Sequence, residues 1–137
     1  MNHPTTQDDY VVDITKMKYG KELDGCRCLN LCEVRLVLTD QLRANYSRSR
    51  QAQNVVRQAY DYSTHFAKIK VRQAVLDLRS VLDKHGDLVE FEISCLVNLF
   101  PRCADEAKFL IPSLRRLKDS RLSQILHELD SYRIFAA

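Results

Sequence analysis

Cysteine and histidine are the residues of this sequence with the most chemistry in them, since thiolates attack and ligate and imidazoles ligate and shuttle protons. Cys26, Cys28 and Cys32 fall within one short stretch in the pattern C-x-C-x-x-x-C. A structural zinc site takes four ligands, usually as paired C-x-x-C or H-x-x-x-H units, and no later Cys/His pair supplies the missing half. Cys95 and Cys103 lie on or beside apolar runs and read as small core residues. The expectation is buried thiols and no metal. His3 lies in a polar tail, His65 and His127 fall within helical periodicities, and His85 sits near a helix end. None stands at a spacing to a nucleophile and a carboxylate that would make a proton relay. Asp105 and Glu106 open a helix, where carboxylates favour the dipole. Three scattered glycines cannot build a loop that cradles phosphates. No catalytic residue and no cofactor is expected.

The charge pattern carries more. Between Gln41 and Tyr60 stand Arg43, Arg48, Arg50 and Arg57 with no acidic residue among them, and Lys68, Lys70 and Arg72 follow. With Tyr46 and Tyr60 nearby, this run suits a single-stranded nucleic acid, arginines on phosphates and rings under bases. The alternative is a helical surface kept soluble by its cations. The formal net charge of +3 permits anionic partners without demanding them. There is no apolar run long enough for a membrane span, and the polar, acidic start MNHPTTQDDY lacks the form of a secretory or transit signal. Five cysteines, an odd number, suit free thiols in a reducing compartment.

Helices must position these residues. The chain has 137 residues, 45% of them hydrophobic, with three glycines, three prolines and no tryptophan, a composition suited to a helical protein. Asn30 to Glu33 forms a capping-box signal, and Leu31, Val34, Leu38 and Leu42 then share a face as far as Ala44-Asn45. A second helix is predicted from about Gln51 to Lys68 with Val55, Val56, Ala59, Tyr62 or Tyr60, and Phe66 inward. The third, Val71 to Lys84, has the cleanest period: Val71, Ala74, Val75, Leu78, Val81, Leu82. Lys84 and His85 suit the dipole at its end, and Gly86 suits a left-handed cap. Phe91, Ile93, Leu96, Val97 and Leu99 carry a fourth helix, ended by Phe100-Pro101. Ala104, Ala107, Phe109, Leu110 and Ile111 carry a fifth, closed by Pro112-Ser113. Asp119 is the expected N-cap of the last, whose face is Leu122, Ile125, Leu126, Leu129 and Tyr132.

Residues before Asn30 differ in kind. Tyr10, Val11, Val12, Ile14, Met17 and Tyr19 form an apolar-rich stretch with neither helical stripe nor alternation. Asp13 to Leu29 reads either as an extended arm whose strand completes another chain's sheet, or as a tail that happens to contain valines.

The run FEISCLVNL (Phe91 to Leu99), then Pro101, ADEAK (Ala104 to Lys108), LIPSL (Leu110 to Leu114), QILHEL (Gln124 to Leu129) and the closing Arg133-Ile134-Phe135 resemble the family of RNA polymerase II stalk subunits, which has an archaeal counterpart. LNLCEVRLVL (Leu29 to Leu38) and HFAK (His65 to Lys68) extend the likeness, which covers about Lys18 to Phe135. The resemblance implies an all-α, HRDC-like helical bundle: an arm over residues 1–29 that adds a strand to a partner, then a helical domain over 30–137, divided into 30–86 and an HRDC-like 87–137. It implies a non-catalytic nuclear subunit, with an OB-fold stalk subunit and the RNA polymerase core as partners, nascent RNA as a candidate contact, and a part in initiation. Met17, Tyr19, Leu23, Cys28, Leu31, Val34, Leu38 and Leu42 become partner-facing candidates by the same analogy. A free-standing nucleic-acid-binding domain using the basic cluster from Arg43 to Arg72 is the competing reading. Three positions depart from the family: Cys103 stands where a helix-capping Thr is usual, Phe100 where Cys is usual, and the link after the first helix is unusually arginine-rich.

Overall fold

The first helix starts where its cap dictates. Asn30 accepts the Glu33 N–H on its side-chain oxygen at 2.9 Å, and the Glu33 carboxylate accepts the Asn30 N–H at 3.0 Å, so two of the N–H groups with no helical partner are satisfied reciprocally. A third, from Leu31, donates to Asn98 Oδ1 at 2.8 Å, a residue 67 positions on. The computed structural model describes Glu22, residues 25–44 and residues 49–136. Six helices follow in order: α1 Leu31–Arg43, α2 Arg50–Phe66, α3 Arg72–Asp83, α4 Glu90–Leu99, α5 Ala104–Leu110 and α6 Asp119–Asp130. Short 3-10 turns at Pro112–Arg116 and Arg133–Phe135 fill the chain after α5 and α6. Among the described residues there is no strand, and one antiparallel bridge joins Ile69 to Ala136. The all-α expectation holds. The greater part of the expected arm, with Met17, Tyr19 and Leu23, lies outside the described residues.

The core is a single aliphatic cluster. Ile69, Leu82, Leu96, Leu114, Leu122, Ile125 and Leu129 have no exposed surface at all, and they come from α3, α4, α6 and the turns between helices. At roughly 25 cal/mol per Å² of apolar surface buried, such side chains supply most of the drive to fold. The α6 face follows the expected spacing, with Tyr132 half-buried at its end.

Two buried ion clusters pin this core. Glu92 on α4 is fully buried. Its Oε1 accepts from Arg116 Nη2 at 2.8 Å and from the Val89 N–H at 3.0 Å. Its Oε2 accepts from the Ser113 hydroxyl at 2.6 Å and from Arg116 Nη1. Val89 has no capping oxygen of its own, so this carboxylate starts α4 while clamping the turn after α5. Arg79 on α3, 6% exposed, is the second centre. It donates to the Cys28 carbonyl at 3.0 Å, to Glu33 at 3.3 Å and to Glu90. Its Nε lies 3.2 Å from Asp83 Oδ1 but off the line of a hydrogen bond. Nearby, Arg121 grips Asp87 at 2.8 and 2.9 Å, and that hydrogen-bonded guanidinium holds the Asp87 carboxyl below its ordinary range.

Several expectations are corrected. Val55, Tyr62 and Phe66 are 64%, 60% and 48% exposed. Ala59 is exposed too; of the expected face Val56 and Tyr60 do turn inward, joined by Ser63 and Ala67, because α2 packs chiefly along α1 and has one face to bury. Phe109 and Leu110 are exposed, since α5 is short and buries only Ala104 and Ala107. Leu99 and Val71 are exposed as well, Val71 because it stands at the N-cap of α3 rather than inside it. Asp119 is the first residue of α6 behind Lys118 at the cap, and its carboxylate meets Lys108 Nζ at 2.6 Å. Gly86 does not take the left-handed conformation: α3 ends right-handed at Lys84. At the end of α4, Phe100 does take that conformation, at φ 47° and ψ 58°, which costs about 1–2 kcal/mol for a side chain with a Cβ. His85 does more than face a dipole, for one ring nitrogen meets Arg121 at 2.9 Å and the other Glu128 at 2.5 Å.

The Glu92 clamp gives a direct test. Arg116→Leu leaves a fully buried carboxylate without its counter-ion and costs about 3–5 kcal/mol, whereas Arg116→Leu combined with Glu92→Leu removes the stranded charge and costs less. Urea unfolding followed by circular dichroism reads both, the chain having no tryptophan.

Candidate partner and nucleic-acid interfaces

The segment leading into α1 is held against the bundle by polar contacts to its backbone. The Cys28 N–H donates to Glu90 Oε2 at 3.2 Å, and the Cys28 carbonyl accepts from Arg79 and from the Ser94 hydroxyl. Arg27 reaches Asp83 at 2.8 Å and stands 3.8 Å from Glu90. Asp83, its first partner, raises the Arg27 pKa above the ordinary value. Hence residues 26–30 lie on α3 and α4 without forming a strand or helix of their own.

That anchoring fixes how α1 is turned. Cys32 and Leu36 face the core at 2% and 7% exposure, and the Cys32 thiol accepts the Ile69 N–H at 3.4 Å. The candidates Leu31, Val34, Leu38 and Leu42 are each half-buried, on the flank beside that stripe. Val37 and Leu29 are 45% and 47% exposed. So α1 has one apolar stripe spent on its own bundle and a second left partly open. Cys28 is half-buried on the anchored segment.

The basic candidates do not gather in one place. Arg50 and Lys68 bracket α2, which at 1.5 Å per residue separates them by roughly 25 Å. Arg72 donates to Asp40 on α1 at 2.7 Å, so its charge is matched. Arg43, Arg50 and Arg57 are exposed, with no ion pair among the described residues. Arg50 and Arg57 are seven apart and share a side of α2. Lys70 is exposed, and its carbonyl accepts from Arg35. Arg48 and Tyr46 lie outside the described residues.

The thiols are not placed as a set. Cys26 and Cys103 are exposed, Cys28 and Cys95 half-buried, Cys32 buried. Cys103 therefore corrects the expectation of a core residue, and it starts α5 without any side-chain cap. Burial pushes the Cys95 thiol up to about 11, with the neighbouring Cys28 adding to the rise, and burial raises Cys28 and Cys32 too. These are poor thiolates. Among the described residues no group of His, Cys, Asp and Glu is arranged to hold a metal ion.

Sequence reasoning missed Arg79, Glu92 and Arg116, which orient everything above. The signal was present for two of them. Arg79 falls four after Val75 and three before Leu82, on the buried stripe of α3, and Glu92 falls four before Leu96 on that of α4. A charge at such a position requires a partner. Arg116 had no such mark, since its role depends on a turn that periodicity does not describe.

With the geometry established, likeness to known proteins is informative. The family model described as RNA polymerase Rpb4 matches residues 28–133. The chain is similar to the DNA-directed RNA polymerase II subunit rpb4 of Dictyostelium discoideum, 30% identical over 140 residues that cover 90% of each chain. It is also similar to the DNA-directed RNA polymerase II subunit 4 of Arabidopsis thaliana, 31% identical over 128 residues, 88% of this chain and 92% of that one.

Thiol reactivity checks the placement of the cysteines. Under native conditions a water-soluble maleimide modifies Cys26 and Cys103 first, and Cys32 and Cys95 react only once urea opens the core. Peptide mass mapping of partly labelled protein identifies the order.

Proposed function

The chain belongs to the RNA polymerase Rpb4 family, and from that premise we propose that it is a non-catalytic, nuclear subunit of DNA-directed RNA polymerase II that pairs with the OB-fold stalk subunit. The observation that carries this reading is the second apolar stripe of α1. Leu31, Val34, Leu38 and Leu42 are left half-buried beside a segment, residues 26–30, that is held rigidly by Arg79, Glu90 and Ser94. A preformed, partly apolar helix face loses little freedom on binding, which is how such faces gain affinity. In this reading the part of the 1–29 arm before Cys26, with Met17, Tyr19 and Leu23, runs onto the partner as added strand, while residues 26–29 stay seated on α3 and α4 and fall outside that strand. Residues 30–86 carry the interface, and the HRDC-like unit over 87–137 is the rigid base. The heterodimer then meets the polymerase core, acts in initiation and contacts emerging RNA. Arg43, Arg50 and Arg57, exposed and without an ion pair among the described residues, are the cations best placed for that last contact.

The test is co-expression with the OB-fold subunit. Wild type co-purifies as a 1:1 complex with a raised melting temperature, whereas Leu38→Asp with Leu42→Asp co-purifies at under about a tenth of that yield while keeping its helical circular dichroism, because two carboxylates are driven into an apolar contact. A wild-type chain that stays monomeric and melts identically with and without the OB-fold subunit contradicts the proposal.

A further inference from the structure

Away from α1, the C-terminal half forms a pair of adjoining clefts, one of them reaching Lys68 just after α2. One, of about 520 Å³, lies between the start of α5 and α6 over Ala104 and Leu126. The other, of about 300 Å³, is floored by Leu99 and Phe100 and edged by Lys68 and Ala136. Arg102 and Arg133 line both, so they form the wall the two clefts share. The left-handed turn at Phe100 reverses the chain after α4 and sets Leu99 and Arg102 on the same cleft. Backbone held in a sparsely populated conformation is a recurrent mark of binding sites.

The charges here are unequal in kind. Arg133 donates to Asp130 at 2.5 Å and lies 5.4 Å from the centre of the Phe100 ring, so it is matched. Arg102 is exposed and uses only its backbone N–H, on Glu106 at 3.0 Å. Lys68 is exposed. Neither of these cationic side chains has an ion-pair partner among the described residues. Two unmatched cations thus stand over a floor of Leu99, Phe100 and Ala136.

We propose that this double cleft, through Lys68 and Arg102 above Leu99 and Phe100, docks an acidic peptide segment of a partner protein, one whose aspartates or glutamates flank an aliphatic side chain. The same residues argue against a nucleic acid. The Phe100 ring is covered by Arg133 and offers no face for a base to stack on. Asp130 and Glu106 would meet a chain carrying a phosphate at every step, whereas isolated carboxylates can be spaced to fall on Lys68 and Arg102 alone. The volumes lie within the range of small-ligand clefts, enough for a few side chains rather than a folded domain. This inference uses Lys68, just after α2, together with the C-terminal half, and does not rest on the pairing proposed above.

The experiment titrates the full-length ¹⁵N-labelled chain with three probes: a capped decapeptide of Glu, Asp and Leu, its Gln, Asn and Leu isostere, and decauridylate. The acidic peptide shifts the amides of Leu99, Phe100, Arg102 and Arg133 saturably, its affinity falling with added salt. Lys68→Glu with Arg102→Glu weakens it at least about tenfold while leaving the rest of the spectrum in place, and the isostere binds as weakly. The proposal is overturned if the acidic peptide causes no saturable shift, if it binds the double variant as well as wild type, or if decauridylate shifts the same amides at lower concentration.

Discussion

The buried guanidinium of Arg79 is the contact on which the presentation of this molecule depends. It stands at 6% exposure and joins three parts of the chain far apart in sequence: the Cys28 carbonyl and Glu33 at the entry to α1, Asp83 at the end of its own helix, and Glu90 at the start of α4. A charge removed from water is costly unless its donors are met, so α1 and its lead-in have one low-energy seat on the bundle.

That seat gives the rest its meaning. Because Cys32 and Leu36 are spent on the core, the flank with Leu31, Val34, Leu38 and Leu42 is left half-buried, which is the surface the proposed pairing would use. The second ion cluster, Glu92 with Arg116, does the same for the C-terminal half: it starts α4, closes the turn after α5, and so steadies the helices beneath the clefts around Arg102. One aliphatic core runs through both halves, and each half carries a salt-bridge cluster that ties its helices to that core.

Much of this was legible in the sequence. Asn30 with Glu33 announced α1, and the spacing of α6 from Leu122 to Leu129 announced its buried face, because capping and helical period are local. The misreadings were of facing rather than of type. The row Val55, Tyr62, Phe66 has helical spacing and enough apolar surface for a core, yet period alone does not say which of two available stripes a peripheral helix buries. Phe109 and Leu110 failed because a short helix held close by Ala104 and Ala107 has room to bury only small residues. α3 ends right-handed at Lys84 without using Gly86, and the left-handed cap of α4 at Phe100 was not legible, since a following proline favours extended backbone at that position. The candidate sites were harder still. The described members of the arginine-rich run divide between the end of α1 (Arg43), α2 (Arg50 and Arg57) and the start of α3 (Arg72), while Lys68, Arg102 and Arg133 are distant in sequence and line one cleft only in the fold.

The central claim is that residues 26–42 form a prepared docking face on a base that does not change. Hydrogen–deuterium exchange of the free chain and of its complex with the OB-fold subunit tests it most directly. The account predicts slower exchange across residues 26–42 in the complex, with α6 and the Glu92 clamp exchanging as they do in the free chain. Equal exchange over residues 26–42 in both states, or protection confined to α5 and α6, would contradict it.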